Sequence, residues 1–164
     1  MDGTRERLLA AAKTEFLERG YRSASLRRIS SAAGVTTGAI YGCFGGKAEL
    51  FDALVGEAYT TFIDNFNAAQ ENFRRLPPER QPDYVGVSSR DYIDWAVVYM
   101  LAHRDEFRLI LQCSDGTRYN RLIDEMVEIE TKATDDFLAV LDVMSHEHGN
   151  ISPMLEHIMV SAMF

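Results

Sequence analysis

Cysteine is scarce, with only Cys43 and Cys113 in 164 residues. They lie far apart and form no CxxC pair, which argues against a disulfide framework or a cysteine-rich zinc site; both are expected to be buried spectator thiols. Long apolar runs are missing too. The opening "MDGTRERLLAAAKTEF" interrupts every apolar run with charge and so holds no signal-peptide core. The longest purely apolar run, "WAVVYMLA" at 95–102, falls far short of the roughly 20 residues that span a bilayer. A cytoplasmic protein without a membrane partner is therefore expected. Strand alternation with paired turn signals is absent, as are internal repeats and low-complexity tracts, and the fold is expected to be all-α.

Positive charge is also in deficit overall, with a formal net charge of −8, but the deficit is uneven. Residues 4–47 hold eight basic side chains against three acidic ones, a net +5, while 56–164 hold nine against nineteen, a net −10. The two ends of the chain face different partners.

What the chain does contain is helical periodicity. A first helix starts after Thr4, carries Leu8, Leu9, Ala12 and Phe16, and ends at Gly20. After the turn "GYRSAS", Ser25 caps the short helix "LRRISSAA", Gly34 stops it, and Thr36 caps a third helix, "TGAIYGCF". Two short helices joined by a tight glycine turn are the signature of a helix-turn-helix. A long amphipathic helix is expected over 47–75, and "LPPERQPDYVGVSS" is the clearest loop. Helices follow at 89–103, apolar on all sides and suited to a bundle centre, at 105–113 and at 117–144. "SHEHGN" reads as a loop. The last segment has Ile151, Met154, Leu155, Ile158 and Met159 on one face and reaches Phe164 without a C-terminal cap signal; the natural chain is expected to continue.

Few residues invite enzymatic or metal chemistry. "GGKAEL" is half a phosphate loop, but Tyr41 and Ala48 stand where that motif needs glycine and a hydroxyl, and no strand precedes it. His146, Glu147 and His148, with His157 nearby in sequence, lack the i, i+4 histidine pair of a zinc helix. No metal, cofactor or catalytic group is expected. His103 ends a helix, where a cation complements the dipole. The aromatic content of the acidic part gives a candidate ligand pocket at Phe62, Phe66, Trp95, Tyr99, His103 and Phe107, although helical spacing suits ordinary core packing residue by residue.

The basic segment is different, because its features agree. Ser25 and Thr36 place hydroxyls and free N–H groups at two helix starts, where phosphates bind well. Arg27 and Arg28 stand in the first turn of the second helix, a poor place for cations unless an external polyanion offsets the macrodipole. Tyr41 and Lys47 flank the glycine turn and can reach a phosphate.

The run "LLAAAKTEFLERGYRSASLRRISSAAGVTTGAIYGCFGGKAELFDAL" resembles the N-terminal domain of the TetR-type transcriptional repressor family. Phe16, Gly20-Tyr21, the Ser25-capped helix, Ala33-Gly34-Val35, Gly38-x-Ile40-Tyr41-x-x-Phe44 and Lys47-x-x-Leu50 fall at family spacing. The resemblance covers about residues 4–55; beyond it only the helix pattern is similar. It implies that Ser25, Arg27 and Arg28 approach one phosphate strand and that Thr36 and Thr37 open the recognition helix. By the same resemblance, Gly38 and Ala39 face base edges, while Tyr41 and Lys47 bind phosphates. The chain departs from the family at Gly42 and Cys43, where large or polar side chains are usual, and at Gly46, which replaces a polar cap. Base readout is then expected to rest mainly on Thr37 and Ala39.

Residues 1–46 are thus expected to form a helix-turn-helix DNA-binding domain and 47–164 a helical effector-binding and dimerisation domain. The expected function is a ligand-responsive regulator, a repressor, that binds palindromic double-stranded operator DNA as a homodimer and is released by a small-molecule effector. The rival from another class is an all-helical interaction protein or helical enzyme with a basic docking face and no specific DNA binding.

Overall fold

The computed structural model of the chain describes residues 2–148. Among them every regular element is helical: α1 (Asp2–Ser23), α2 (Leu26–Ala32), α3 (Thr37–Cys43), α4 (Lys47–Arg74), α5 (Gln81–Ala102), α6 (Arg104–Cys113) and α7 (Leu122–His148), with 3-10 turns at Pro78–Arg80 and Arg118–Arg121. The all-α expectation holds. No helix among the described residues is long and apolar enough to cross a membrane, and no group of three or more His, Cys, Asp and Glu among them is placed to hold a metal ion.

The described helices form two compact units, residues 2–62 with 100–123, and residues 63–99 with 124–148. In the first, α1 buries Leu8, Ala12 and Phe16, an i, i+4, i+8 series that keeps one face inward. Gly20 breaks the helical path with φ 71°, a conformation that costs other residues a Cβ clash. The apolar face of α1 packs on α2 and α6. Phe51, on the first part of α4, is completely buried. Its ring lies 5.0 Å from Phe16, 5.3 Å from Tyr21 and 5.9 Å from Tyr119.

Polar links tie the 100–123 segment to the helices it covers. Lys13 pairs with Asp105, and Arg22 with Asp115 at 3.2 Å. The Tyr119 hydroxyl donates to Asp52, and Arg118 Nη2 donates to the same carboxylate at 2.9 Å. A Cβ at Gly56 would lie 3.3 Å from the Tyr119 oxygen, so glycine leaves that oxygen its place. Burial, and then the Asp52 hydrogen bond, push the Tyr119 phenol up.

The second unit is held by rings and capped helix ends. Phe66 meets Tyr92 at 5.0 Å, Tyr92 meets Trp95 at 5.8 Å, and Trp95 stacks on Tyr99 at 4.9 Å; burial raises the Tyr92 phenol to about 12. Phe73 contacts Phe137 edge-on, and Arg74 pairs with Asp136.

Four sequence expectations are corrected here. The segment 76–89 is mostly helix, because Pro82 is the second residue of α5, where a missing N–H breaks no bond. Buried Gln81 meanwhile donates to the carbonyls of Arg74 and Leu76 at the end of α4. The apolar stretch of α5 is not a bundle centre throughout, since Val97, Val98 and Leu101 are exposed. His146 and His148 are helical, because α7 meets no glycine or proline through His148. Cys43 is exposed, and only Cys113 is buried. The Ile151 to Met163 stripe and His157 lie outside the described residues.

Candidate nucleic-acid interface

The helix-turn-helix is built from local chemistry. Ser25 takes extended dihedrals and its hydroxyl accepts from Arg28 N–H at 3.4 Å, starting α2. Gly34 ends it at φ 66°, and the Val35 N–H returns to the Ser30 carbonyl at 2.9 Å. Thr36 then caps α3 with extended dihedrals. Buried Ser30 and half-buried Thr37 share a hydroxyl contact of 3.1 Å, which pins the second helix to the first.

The residues singled out from sequence divide by exposure. Arg27, Thr36, Gly38 and Tyr41 are exposed, Tyr41 by 58%. The Thr36 hydroxyl makes no cap bond and is left to the solvent side. Ser25, Thr37 and Ala39 are half-buried, with Thr37 engaged by Ser30. Arg28 is exposed as well, its side chain by 51%, with its guanidinium engaged on Glu15. Lys47 is half-buried; its Nζ donates to the Arg22 carbonyl at 3.1 Å and lies 4.8 Å over the Tyr21 ring. Burial holds its ammonium below the usual lysine range. One of its three donors is used there, which leaves two.

At 100° per residue, Gly38 and Gly42 stand on the side of α3 opposite Ile40, the buried anchor of that helix. The outward face is therefore nearly bare, edged by Tyr41. A Cβ at Gly42 would meet nothing within 4 Å. Gly42→Ala is accordingly expected to stabilise the fold by about 0.5–1 kcal/mol, read as a higher urea midpoint at unchanged m-value. A lower midpoint would show that position 42 is sterically closed.

The pocket candidates fall in both units. Phe62 and Phe107 form a ring pair at 5.0 Å in the first, where half-buried His103 is the N-cap of α6; Phe66, Trp95 and Tyr99 belong to the ring series of the second. Sequence reasoning missed Glu15. Its signal was its place beside Phe16 on the inner side of an amphipathic helix, where a charge needs a partner.

Comparison with known proteins bears on the same segment. The sequence model described as "Bacterial regulatory proteins, tetR family" matches residues 8–54. The HTH-type transcriptional repressor BepR of Brucella suis biovar 1 (strain 1330) is 47% identical over 55 residues, which is 34% of this chain and 26% of BepR. The HTH-type transcriptional activator FasR of Mycolicibacterium smegmatis is 28% identical over 150 residues, 90% of this chain and 62% of FasR. The chain thus spans less than two thirds of either relative. Among solved structures, NalD of Pseudomonas aeruginosa, titled the secondary repressor of the MexAB-OprM multidrug efflux pump, is similar at 28% identity and a TM-score of 0.47, over 88% of this chain and 67% of that one.

Proposed function

We propose that the chain is a cytoplasmic, ligand-responsive transcriptional regulator, a repressor, that binds palindromic duplex DNA as a homodimer and has no catalytic role; the helix-turn-helix of α2 and α3 and the match of residues 8–54 to the tetR family model support it. The observation that carries this reading is the exposed face of α3, carried by a segment of net charge +5 that also holds Arg27 and Lys47. In this reading 1–46 is the DNA-binding domain and 47–164 the effector-binding and dimerisation domain. Thr36, Gly38, Ala39 and Thr37 meet the major groove, and Ser25, Arg27, Tyr41 and Lys47 meet phosphates. The effector binds among the rings of Phe66, Trp95 and Tyr99, which offer flat apolar surface with polar edges.

Selection of bound duplexes from a random pool tests the proposal. Palindromes are expected, with half-sites about one helical turn apart, roughly 34–36 Å, and their recovery should fall when a small-molecule effector is supplied in cell extract. A pool that shows no enrichment over mixed competitor sinks the reading.

A further inference from the structure

Glu15 is a carboxylate in a basic head, its side chain only 10% exposed. One oxygen, Oε1, accepts from the Ser25 N–H at 2.9 Å and from Arg28 Nε at 2.8 Å, and lies 2.6 Å from Arg28 Nη2 in the ion pair. Arg28 Nη2 also donates to the Ser23 carbonyl at 2.9 Å. Residues 23, 25 and 28 are thus gathered around one carboxylate of α1. The Arg28 hydrogen bond, ahead of the opposing effect of burial, holds the Glu15 carboxyl below its usual range, so the pair is charged on both sides.

This grip matters because the Ser25 cap is long, at 3.4 Å, near the limit of a hydrogen bond. Beside the apolar packing of α1 on α2, Glu15 supplies the polar link that holds the start of α2 to α1. From there the geometry is passed on rigidly, since the Gly34 turn and the Ser30 and Thr37 hydroxyls fix α3 on α2. Arg27 and Arg28 are both exposed, and what sets Arg28 apart is that its guanidinium is held on Glu15.

We infer that Glu15 and Arg28 are positioning residues for duplex binding: the Arg28 guanidinium stays on Glu15 in the complex, setting the angle at which α2 and α3 meet DNA, and the phosphate contact of α2 falls to Arg27. The inference rests on the duplex-binding reading proposed above.

The test uses the 164-residue chain and a labelled duplex enriched from the random pool by the wild type, with each variant checked for folding by circular dichroism. Arg28→Lys keeps the charge but loses the planar fork, and is expected to weaken binding about tenfold, the size of one charge-assisted hydrogen-bonded link. Glu15→Gln is expected to weaken it as well, although it removes a charge that repels DNA. Arg28→Gln should leave the slope of log affinity against log salt unchanged, whereas Arg27→Gln should flatten it by about 0.9 for each phosphate that is no longer neutralised. Tighter binding by Glu15→Gln, or a flatter slope with Arg28→Gln, would overturn the inference by making Arg28 a phosphate ligand. Unchanged affinity with a lowered melting temperature would overturn it by making the pair purely structural. Failure of the duplex-binding reading itself appears separately, as a wild type that enriches no duplex.

Discussion

Phe51→Ala is expected to destabilise the chain by about 3–5 kcal/mol, the range for emptying a core phenylalanine site. Nothing of this side chain reaches solvent, and three aromatic rings surround it at 5.0 to 5.9 Å. Those rings belong to α1, on either side of its Gly20 break, and to the 3-10 turn ahead of α7, so none can close the gap without dragging backbone with it. A small protein holds about 5–15 kcal/mol in all, which makes this one site a large share of the total. Urea unfolding measures the loss, and Val98→Ala is the control: that valine is 68% exposed and its removal should stay within about 0.5 kcal/mol. A loss under about 1 kcal/mol for Phe51→Ala, well below the usual range for such a site, would mean that the aromatic cluster is not the core of the first unit. The damage should spread to the neighbouring carboxylate, since Tyr119 both touches Phe51 and donates to Asp52.

Raising salt from about 50 to 200 mM is expected to weaken binding to a selected duplex by about a hundredfold. The figure follows from four cations, Arg27 and Lys47 in each of two heads, at a slope of about 0.9 per neutralised phosphate. Lys47 qualifies although it already holds the Arg22 carbonyl, because an ammonium has further hydrogens to give. Tyr41 is neutral and adds affinity without adding slope. Titrations across the salt range by fluorescence anisotropy decide it, and a slope shallower than about one, the value for a single phosphate, would remove the paired-head picture in favour of a loosely docked basic face.

The parts of this fold that sequence made plain are those that local chemistry decides. Ser25 before "LRRIS" and glycines at 20, 34 and 45 mark ends and turns because their positive φ angles or side-chain oxygens act within a few residues. The start of α4 at Lys47 followed from the same logic. What stayed hidden depends on neighbours distant in sequence. Three prolines in 76–89 looked like a loop, yet Pro82 opens a helix because it falls in the first turn. An all-apolar run does not tell which side will be covered, and Val97 and Val98 proved open. Arg28 reads from sequence as a misplaced cation at a helix start; its partner, thirteen residues earlier, appears only once α1 and α2 are packed together. Gly42 left no local trace of its reason, and its setting became clear when Ile40 fixed which side of α3 faces inward.

That bare side of α3 separates two demands that most helices must meet with the same residues. A Cβ at position 42 would meet nothing within 4 Å beyond its neighbours and its own helix backbone, so a side chain there is added without a clash in the folded head. On the duplex-binding reading proposed above, a library of polar residues at this single site is expected to change which duplexes are preferred while keeping the fold of the head, making α3 a surface on which a new preference can be written one residue at a time.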